Sequence, residues 1–512
     1  MSHARTLRGE LDFRALAPWL LAALAALAGM WWQRAAGTQP DVYWLTLMAE
    51  RMLDGDRPYV DTFENNPPAS IYIYVPAVLL ARLLHISSEL AVQIFTLGLL
   101  GLCLAATYAM LTRAGYSKNY PAQWLFAACV ALFVLMPAET FAQREYIAAV
   151  LALPYLGLVA IRTAGVSASK WMIVTAGLAI GAVVAIKPPL ACVALFASGI
   201  AFLAQRSWRV LFVAENWIGA GVFLTYTAAI FYFHAAFLSD TLPLLKDVYL
   251  RDRLAVIVFI VPSFHAALFL LAHAWLMHRS DWLRAPEGIL YAAAAGFLVS
   301  YFVQMKYFPY HIFPVCAFVM LAVSMSLLRK DPEQRDNGEV LSRKQKLFSF
   351  AVIAVIGIAN FYLYQGRHFE GRLTQALRSS HPAPRVVGFT TYIGQHVRDV
   401  RNAGGTWVAS FGQTYVPPIA NSFRGYLSVD AQWEKRLQHW EQWTADVFLR
   451  DLKTKHPDIV LMTGNSDFNW PNWIARYPSL RTALAEYKFD RQVDFADGSF
   501  PIRIYVRRSA PK

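Results

Sequence analysis

The sequence predicts a polytopic α-helical membrane protein with a C-terminal soluble α/β domain, and three observations carry that expectation. Of 512 residues, 56% are hydrophobic and only 16% are charged, less charge than a soluble protein of this length normally carries. Apolar stretches approaching the roughly 20 residues of a spanning helix recur from residue 15 to residue 364. Beyond residue 364 charge rises and the apolar runs shorten to strand length. The chain therefore divides into a membrane part, 1–364, and a tail, 365–512.

The first expected crossing, about 15–32, follows Arg5, Arg8 and Arg14 and ends at Trp31 and Trp32. That aromatic pair suits an interfacial belt, so the segment is read as a retained span rather than a cleaved signal. Ten further crossings are expected at about 90–112, 121–137, 147–161, 171–186, 189–204, 211–234, 254–277, 287–305, 312–328 and 347–364, giving about 11 in all. The net charge of +13 follows from basic inter-helix loops rather than from a nucleic-acid partner. Cys103, Cys129, Cys192 and Cys316 all fall in apolar spans, which points to neither a disulfide framework nor a cysteine metal site.

Residues 38–68 form an aromatic, acid-rich loop. A helical pattern over 41–54 begins at Asp41 after a Thr-Gln-Pro turn, and Gly55, Pro58, Pro67 and Pro68 then break the chain. A carboxylate at a helix start is stabilised by free backbone amides and the helix dipole. Asp41 is thus either a helix cap or a chemical group. The apolar segment 69–84 is ambiguous by hydropathy, and orientation resolves it. If it stays at the outer surface, the loops 113–120, 162–170, 205–210, 278–286 and 329–346, all basic, share the side of the N-terminus, as cytoplasmic loops should. If it crossed, every later loop would change sides. Segment 69–84 is accordingly read as an interfacial helix, with Tyr72, Tyr74 and Pro76 suited to that position. The N-terminus is expected in the cytoplasm and the tail in the periplasm of a bacterial inner membrane.

That orientation brings three polar clusters to the outer face. The first is the acidic loop, with Asp41 as candidate base and Asp56 and Glu64 as candidate acceptor contacts. The second, residues 136–150, carries Glu139, Arg144 and Glu145 at the mouth of the bundle, where charges beside hydrocarbon are expensive and tend to be paired or functional. The third is basic: Lys187 after one span, Lys246, Arg251 and Arg253 before another, and Lys306, Tyr310 and His311 in a late outer hairpin. Outer cations run against the topological bias, and binding a phosphate is an economical reason for them; snorkelling to lipid head groups is the plainer one. Acids and phosphate-binding cations at a bilayer surface suggest transfer of a group from a lipid phosphate, with Asp41 accepting a proton from the acceptor.

At these residues the chain resembles the GT-C superfamily of glycosyltransferases that use polyprenyl-phosphate sugars, near its protein O-mannosyltransferase and aminoarabinose transferase branches. Asp41, Gly55, Asp56, Pro67 and Pro68 match the family's first outer loop; Arg144 and Glu145 match its second acidic motif, with Glu in place of the commoner Asp; Lys187, Pro188 and Pro189 match its phosphate-contacting Lys-Gly-Pro, with Pro for Gly. The resemblance implies a membrane glycosyltransferase with Asp41 and Glu145 as catalytic residues and a donor phosphate held by Lys187, Arg144, Lys306, His311, Tyr310, Arg251 and Arg253. Its acceptor would be a periplasmic glycan, lipid or protein. Val42 stands where a second acid often follows the first, and the family includes members that work with and without a divalent cation such as Mg or Mn. No dedicated metal-ligand cluster stands out.

In the tail, 406–411, 458–463, 487–495 and 501–508 read as strands, and 384–402 and 433–454 as helical. Trp433, Trp440, Trp443, Trp470 and Trp473 could stack on sugar or simply pack a core. A polytopic transporter or lipid flippase is the competing function; it would place polar groups near mid-bilayer and repeat its halves, and neither pattern is evident in the chain.

Overall fold

The computed structural model describes residues 13–116, 121–252, 262–277, 285–306, 308–329, 343–363, 371–391, 395–463, 468–495 and 500–508. It is mostly helical. The long helices of the membrane part are α1 (Phe13–Ala36), α5 (Ser88–Arg113), α6 (Ala122–Val130, continued by a π turn to Leu135), α7 (Arg144–Thr163), α8 (Lys170–Ile186), α9 (Ala191–Gln205), α10 (Ala214–Phe233), α11 (Pro262–Met277), α12 (Pro286–Gln304), α13 (Phe313–Leu328) and α14 (Arg343–Leu363). Between α1 and α5 lie α2 (Pro40–Leu53), α3 (Ala69–Tyr72) and α4 (Val75–Leu84).

Among the described residues, six helices are long and apolar enough to cross a membrane. The span over α7 is the hub, with 89% of its apolar window buried, whereas the span that includes α10 is peripheral, with 11% buried. α10 is held against α8 by small residues. A Cβ on Gly177 would lie 2.6 Å from Ile218, and one on Gly181 would lie 2.6 Å from Val222. The Gly-x-x-x-Gly spacing therefore lets two backbones approach where lipid supplies no hydrophobic drive.

The expected interfacial helix at 69–84 is two helices, not one. The α-helical hydrogen bonding lapses at Ile73 and Tyr74, whose backbone stays right-handed, and resumes at Val75 with Pro76 in the first turn, where proline is tolerated because that turn's amides need no partner inside the helix. Neither piece is long enough to span a bilayer.

The C-terminal segment adds a five-stranded sheet: β1 (Arg385–Phe389), β2 (Thr406–Trp407), β3 (Ile459–Thr463), β4 (Tyr487–Val493) and β5 (Ile502–Arg507), in the order β2-β1-β3-β5-β4. β1 runs parallel to β2 and β3, while β5 is antiparallel to both β3 and β4. The sequence pattern predicts a helix over 384–402, and β1 corrects it. Val386, Val387 and Phe389 are fully buried and pair in register with Ile459, Val460 and Met462. A short run apolar on successive positions is what a strand covered on both faces requires. Among the described residues of that stretch, only Gln395–Asn402 are helical. The tryptophans are packing residues. Trp470 and Trp473 are essentially inaccessible, and Trp433 and Trp440 of the helix Ala431–Lys455 donate to the carbonyl and carboxylate of Asp247, each at 3.0 Å.

These contacts bind the sheet-bearing segment to one end of the bundle. Arg401 forks onto Glu50 of α2 at 2.6 Å and reaches Glu89 of α5 at 2.8 Å. The Phe63 amide donates to Ser410 at 2.9 Å, and Arg51 donates to the Ala409 carbonyl at 2.8 Å. Gly412 rests directly on the indole of Trp44, where an added Cβ would come within 2.5 Å of the ring. The chain after α1 and the chain after α10 thus both meet the C-terminal segment.

Candidate active site

Two helix starts converge at that end of the bundle. α2 begins Gln39-Pro40-Asp41 and α7 begins Gln143-Arg144-Glu145, so each has a glutamine cap and a carboxylate in its first turn. The Gln39 side chain accepts from the Asp41 amide at 2.6 Å, and the Gln143 side chain accepts from the Arg144 amide at 2.9 Å. Gln39 therefore does the capping, and the Asp41 carboxylate is left for other partners.

Those partners all address one oxygen. Gln143 Nε2 donates to Asp41 Oδ2 at 2.9 Å, Tyr310 Oη at 3.1 Å and Arg144 Nη2 at 3.3 Å. The other oxygen, Oδ1, has no hydrogen-bond partner among the described residues and is not sealed from solvent. Asp41 as a whole is only 6% exposed.

Arg144 is the hinge of the site. It is 4% exposed, lies 3.8 Å from Glu64 through Nη1, and has no hydrogen bond at either Nε or Nη1. Two orphaned guanidinium donors in a buried place are costly unless a ligand takes them. Glu64 accepts from Trp44 Nε1 at 2.9 Å and from both the backbone and side-chain amides of Asn66. Burial pushes its carboxyl above the usual range, against the pull of Arg144 and Asn66.

The second carboxylate has its own cations. Glu145 Oε1 accepts from Lys187 Nζ at 2.6 Å and lies 3.2 Å from His311 Nε2, while its Oε2 is buried without a partner. Burial and the neighbouring Lys187 ammonium hold His311 below the ordinary histidine value, and its Nδ1 is also unpartnered. Burial likewise lowers Lys187, opposed by Glu145, and raises the Tyr310 phenol well above its normal value, which keeps it a donor to Asp41. Two pairs of consecutive residues thus split their duties: Arg144 and Tyr310 serve Asp41, while Glu145 and His311 meet Lys187. The loop entering α7 is strained, with Ala138 and Ala142 at φ of 47° and 63°. Tyr74 clamps the second of these by donating to the Ala142 carbonyl at 2.8 Å, and such strain gathers where a site is held in place.

The other residues anticipated from sequence lie elsewhere. Asp56 is paired with Arg51 at 2.6 Å and is part of the first loop's own packing. Lys306 donates to the carbonyls of Tyr249 and Asp252 at 3.1 and 2.5 Å and sits 4.1 Å from the Tyr249 ring centre. Arg251 stacks on Trp433 at 4.4 Å, Lys246 is exposed, and Arg253 lies outside the described residues. Glu139 is half-buried on the 3₁₀ turn Ala138–Thr140. Gln39, Gln143 and Trp44 were missed, since neutral amides and an indole carry no charge signal. A divalent cation does not suit this donor set. Arg144 and Lys187 occupy the flanks of the carboxylates, and no three His, Cys, Asp or Glu side chains gather among the described residues. Beside Glu64, a cavity of about 20 Å³ bounded by Trp44, Phe63, Thr241, Gln413 and Tyr415 leaves room for roughly one water.

No protein-family model matches the chain, and no curated protein matches it. Solved structures do. The aminoarabinose transferase ArnT from Cupriavidus metallidurans, bound to undecaprenyl phosphate, superposes with a TM-score of 0.55 at 13% identity over 96% of this chain and 98% of that one. Its apo form gives 0.53 at the same identity and coverage. The arabinofuranosyltransferase AftD from Mycobacteria is looser, with a TM-score of 0.44 at 15% identity over 98% of this chain and 40% of that one. The likeness to ArnT establishes the fold: this chain is folded as ArnT is.

Proposed function

We propose that this protein is a membrane glycosyltransferase that moves a sugar from a polyprenyl phosphate to a periplasmic glycan, lipid or protein, with Asp41 as general base. The observation that carries the reading is the asymmetric Asp41 carboxylate: Oδ2 is held by three donors and Oδ1 is open, beside an arginine with two unspent donors. The acceptor oxygen would lose its proton to Oδ1 while attacking the anomeric carbon. The bond from that carbon to the phosphate oxygen breaks, and its electron pair leaves with the polyprenyl phosphate. A positioned base contributes roughly 10²–10⁴-fold to such a step, and preorganised donors on the departing phosphate roughly 10²–10³-fold. Arg144 and Lys187 are placed to supply those donors, and Glu145 with His311 orients Lys187.

The lipid class rests on the fold and on the ligand of ArnT, undecaprenyl phosphate. The remaining architecture follows from the same reading. The 11 long helices α1 and α5–α14 all cross, the N-terminus is cytoplasmic, and residues 365–512 form a periplasmic α/β domain of an inner-membrane protein. The meeting of alternate loops at one end of the bundle supports that alternation. A radiolabelled polyprenyl-phosphate sugar, offered to proteoliposomes with cell-envelope acceptors, tests the reaction class. Label covalently attached to the acceptor with release of polyprenyl phosphate is expected. Intact donor moved between leaflets would make the protein a flippase.

A further inference from the structure

We propose that Gln143 is a positioning residue for this transfer, locking the Asp41 carboxylate in one orientation and fastening the helix start that carries Asp41 to the one that carries Glu145. The inference rests on the function proposed above. Gln143 is fully buried, and both of its amide hydrogens are spent: Nε2 donates to Asp41 Oδ2 and to Gln39 Oε1, each at 2.9 Å. Gln39 Oε1 in turn accepts from the Asp41 amide at 2.6 Å. The hydrogen bonds close a ring that enters Asp41 through its backbone and leaves through its side chain, so the carboxylate cannot turn without breaking it.

Helix capping alone does not call for glutamine, because Ser, Thr, Asp and Asn are the usual caps and reach the first turn with a shorter side chain. Two glutamines at facing helix starts are long enough to cap their own helix and still meet each other. Their neutrality matters too. A second cation in place of Gln143 would favour the ionised carboxylate further and make it a weaker base, whereas an amide fixes Oδ2 and leaves Oδ1 the oxygen available to the acceptor.

The test uses the full-length protein in proteoliposomes and two variants. Gln143→Glu keeps an oxygen to accept from the Arg144 amide but loses both donated hydrogen bonds; Gln143→Met loses the cap as well. Both are expected to lower kcat by about 10–100-fold, the scale of a misplaced catalytic group, with donor KM within about threefold. If Gln143 is only a cap, Gln143→Glu keeps wild-type kcat and only Gln143→Met loses thermal stability, which overturns the proposal. Should burial prevent either from folding, Gln39→Leu at the half-buried edge of the ring reads the same link, and an unchanged kcat there overturns it. Wild-type protein that forms no labelled product overturns the transfer reading itself, whereas an active wild type, an inactive Asp41→Asn and an unaffected Gln143→Glu remove only the role of Gln143.

Discussion

Replacing Lys187 with Met should weaken the loss of stability at low pH. Its ammonium is 2.6 Å from Glu145 Oε1, and the two side chains are 13% and 2% exposed. At an effective dielectric of about 20, that separation corresponds to a gross attraction of about 6 kcal/mol, and removing one partner of a buried pair costs a net ~3–5 kcal/mol. In the wild type, burial and Lys187 hold the His311 pKa below the unfolded value. The His311 contribution to wild-type stability is therefore flat above about pH 6.5 and falls as the pH drops below it, since the unfolded chain takes up a proton that the folded one refuses. Without Lys187, burial and Arg144 still hold the ring down, but one of the lowering causes is gone while the Glu145 carboxylate stays 3.2 Å away, so the folded pKa moves back toward the unfolded value. The loss of stability in acid is then smaller in the variant, and each unit by which the folded pKa moves back is worth about 1.4 kcal/mol. Thermal midpoints of the detergent-solubilised protein between pH 5 and 8.5 should show a large deficit at alkaline pH that narrows in acid. In a Glu145→Gln background the same substitution should cost less than about 1 kcal/mol, because no buried carboxylate is stranded. Parallel pH curves for wild type and variant, or an equal cost in both backgrounds, would refute the coupling of these three side chains.

Two further outcomes follow from the docking of the C-terminal segment and from orientation. Gly412→Val brings a Cβ to within 2.5 Å of the Trp44 indole, so about 1–3 kcal/mol of stability should be lost to overpacking; transfer should weaken with it, and a wild-type melting curve would show that the two surfaces are not in contact. Reporters fused near residues 117 and 375 should mark cytoplasm and periplasm respectively, and the opposite result would undo the placement of the site at the outer surface.

Much of this arrangement was legible in the sequence because hydropathy and charge act at long range. Spanning helices announce themselves by length, and the basic loops order them, which is enough to bring Asp41, Glu145, Lys187, Tyr310 and His311 to one face. What the sequence could not tell is which partner each charge takes. Arg144 and Glu145 are neighbours, yet the turn of a helix sends them to different carboxylate clusters. Asp56, Arg251 and Lys306 carried the right chemistry at the right depth, but Arg51, Trp433 and the Asp252 carbonyl reach them first. β1 was obscured because five residues beside a helix are too few to show a period. The glutamine ring was invisible, since uncharged amides at helix starts look like ordinary loop polarity until the two helices are seen to meet.

The central claim is that the open oxygen of Asp41 takes the acceptor's proton. Asp41→Asn preserves the shape and keeps a carbonyl for the Oδ2 donors while removing the base, so turnover of the labelled donor should fall by about 10²–10⁴-fold with polyprenyl phosphate binding within about threefold of wild type. Near-normal turnover by that variant would contradict the account.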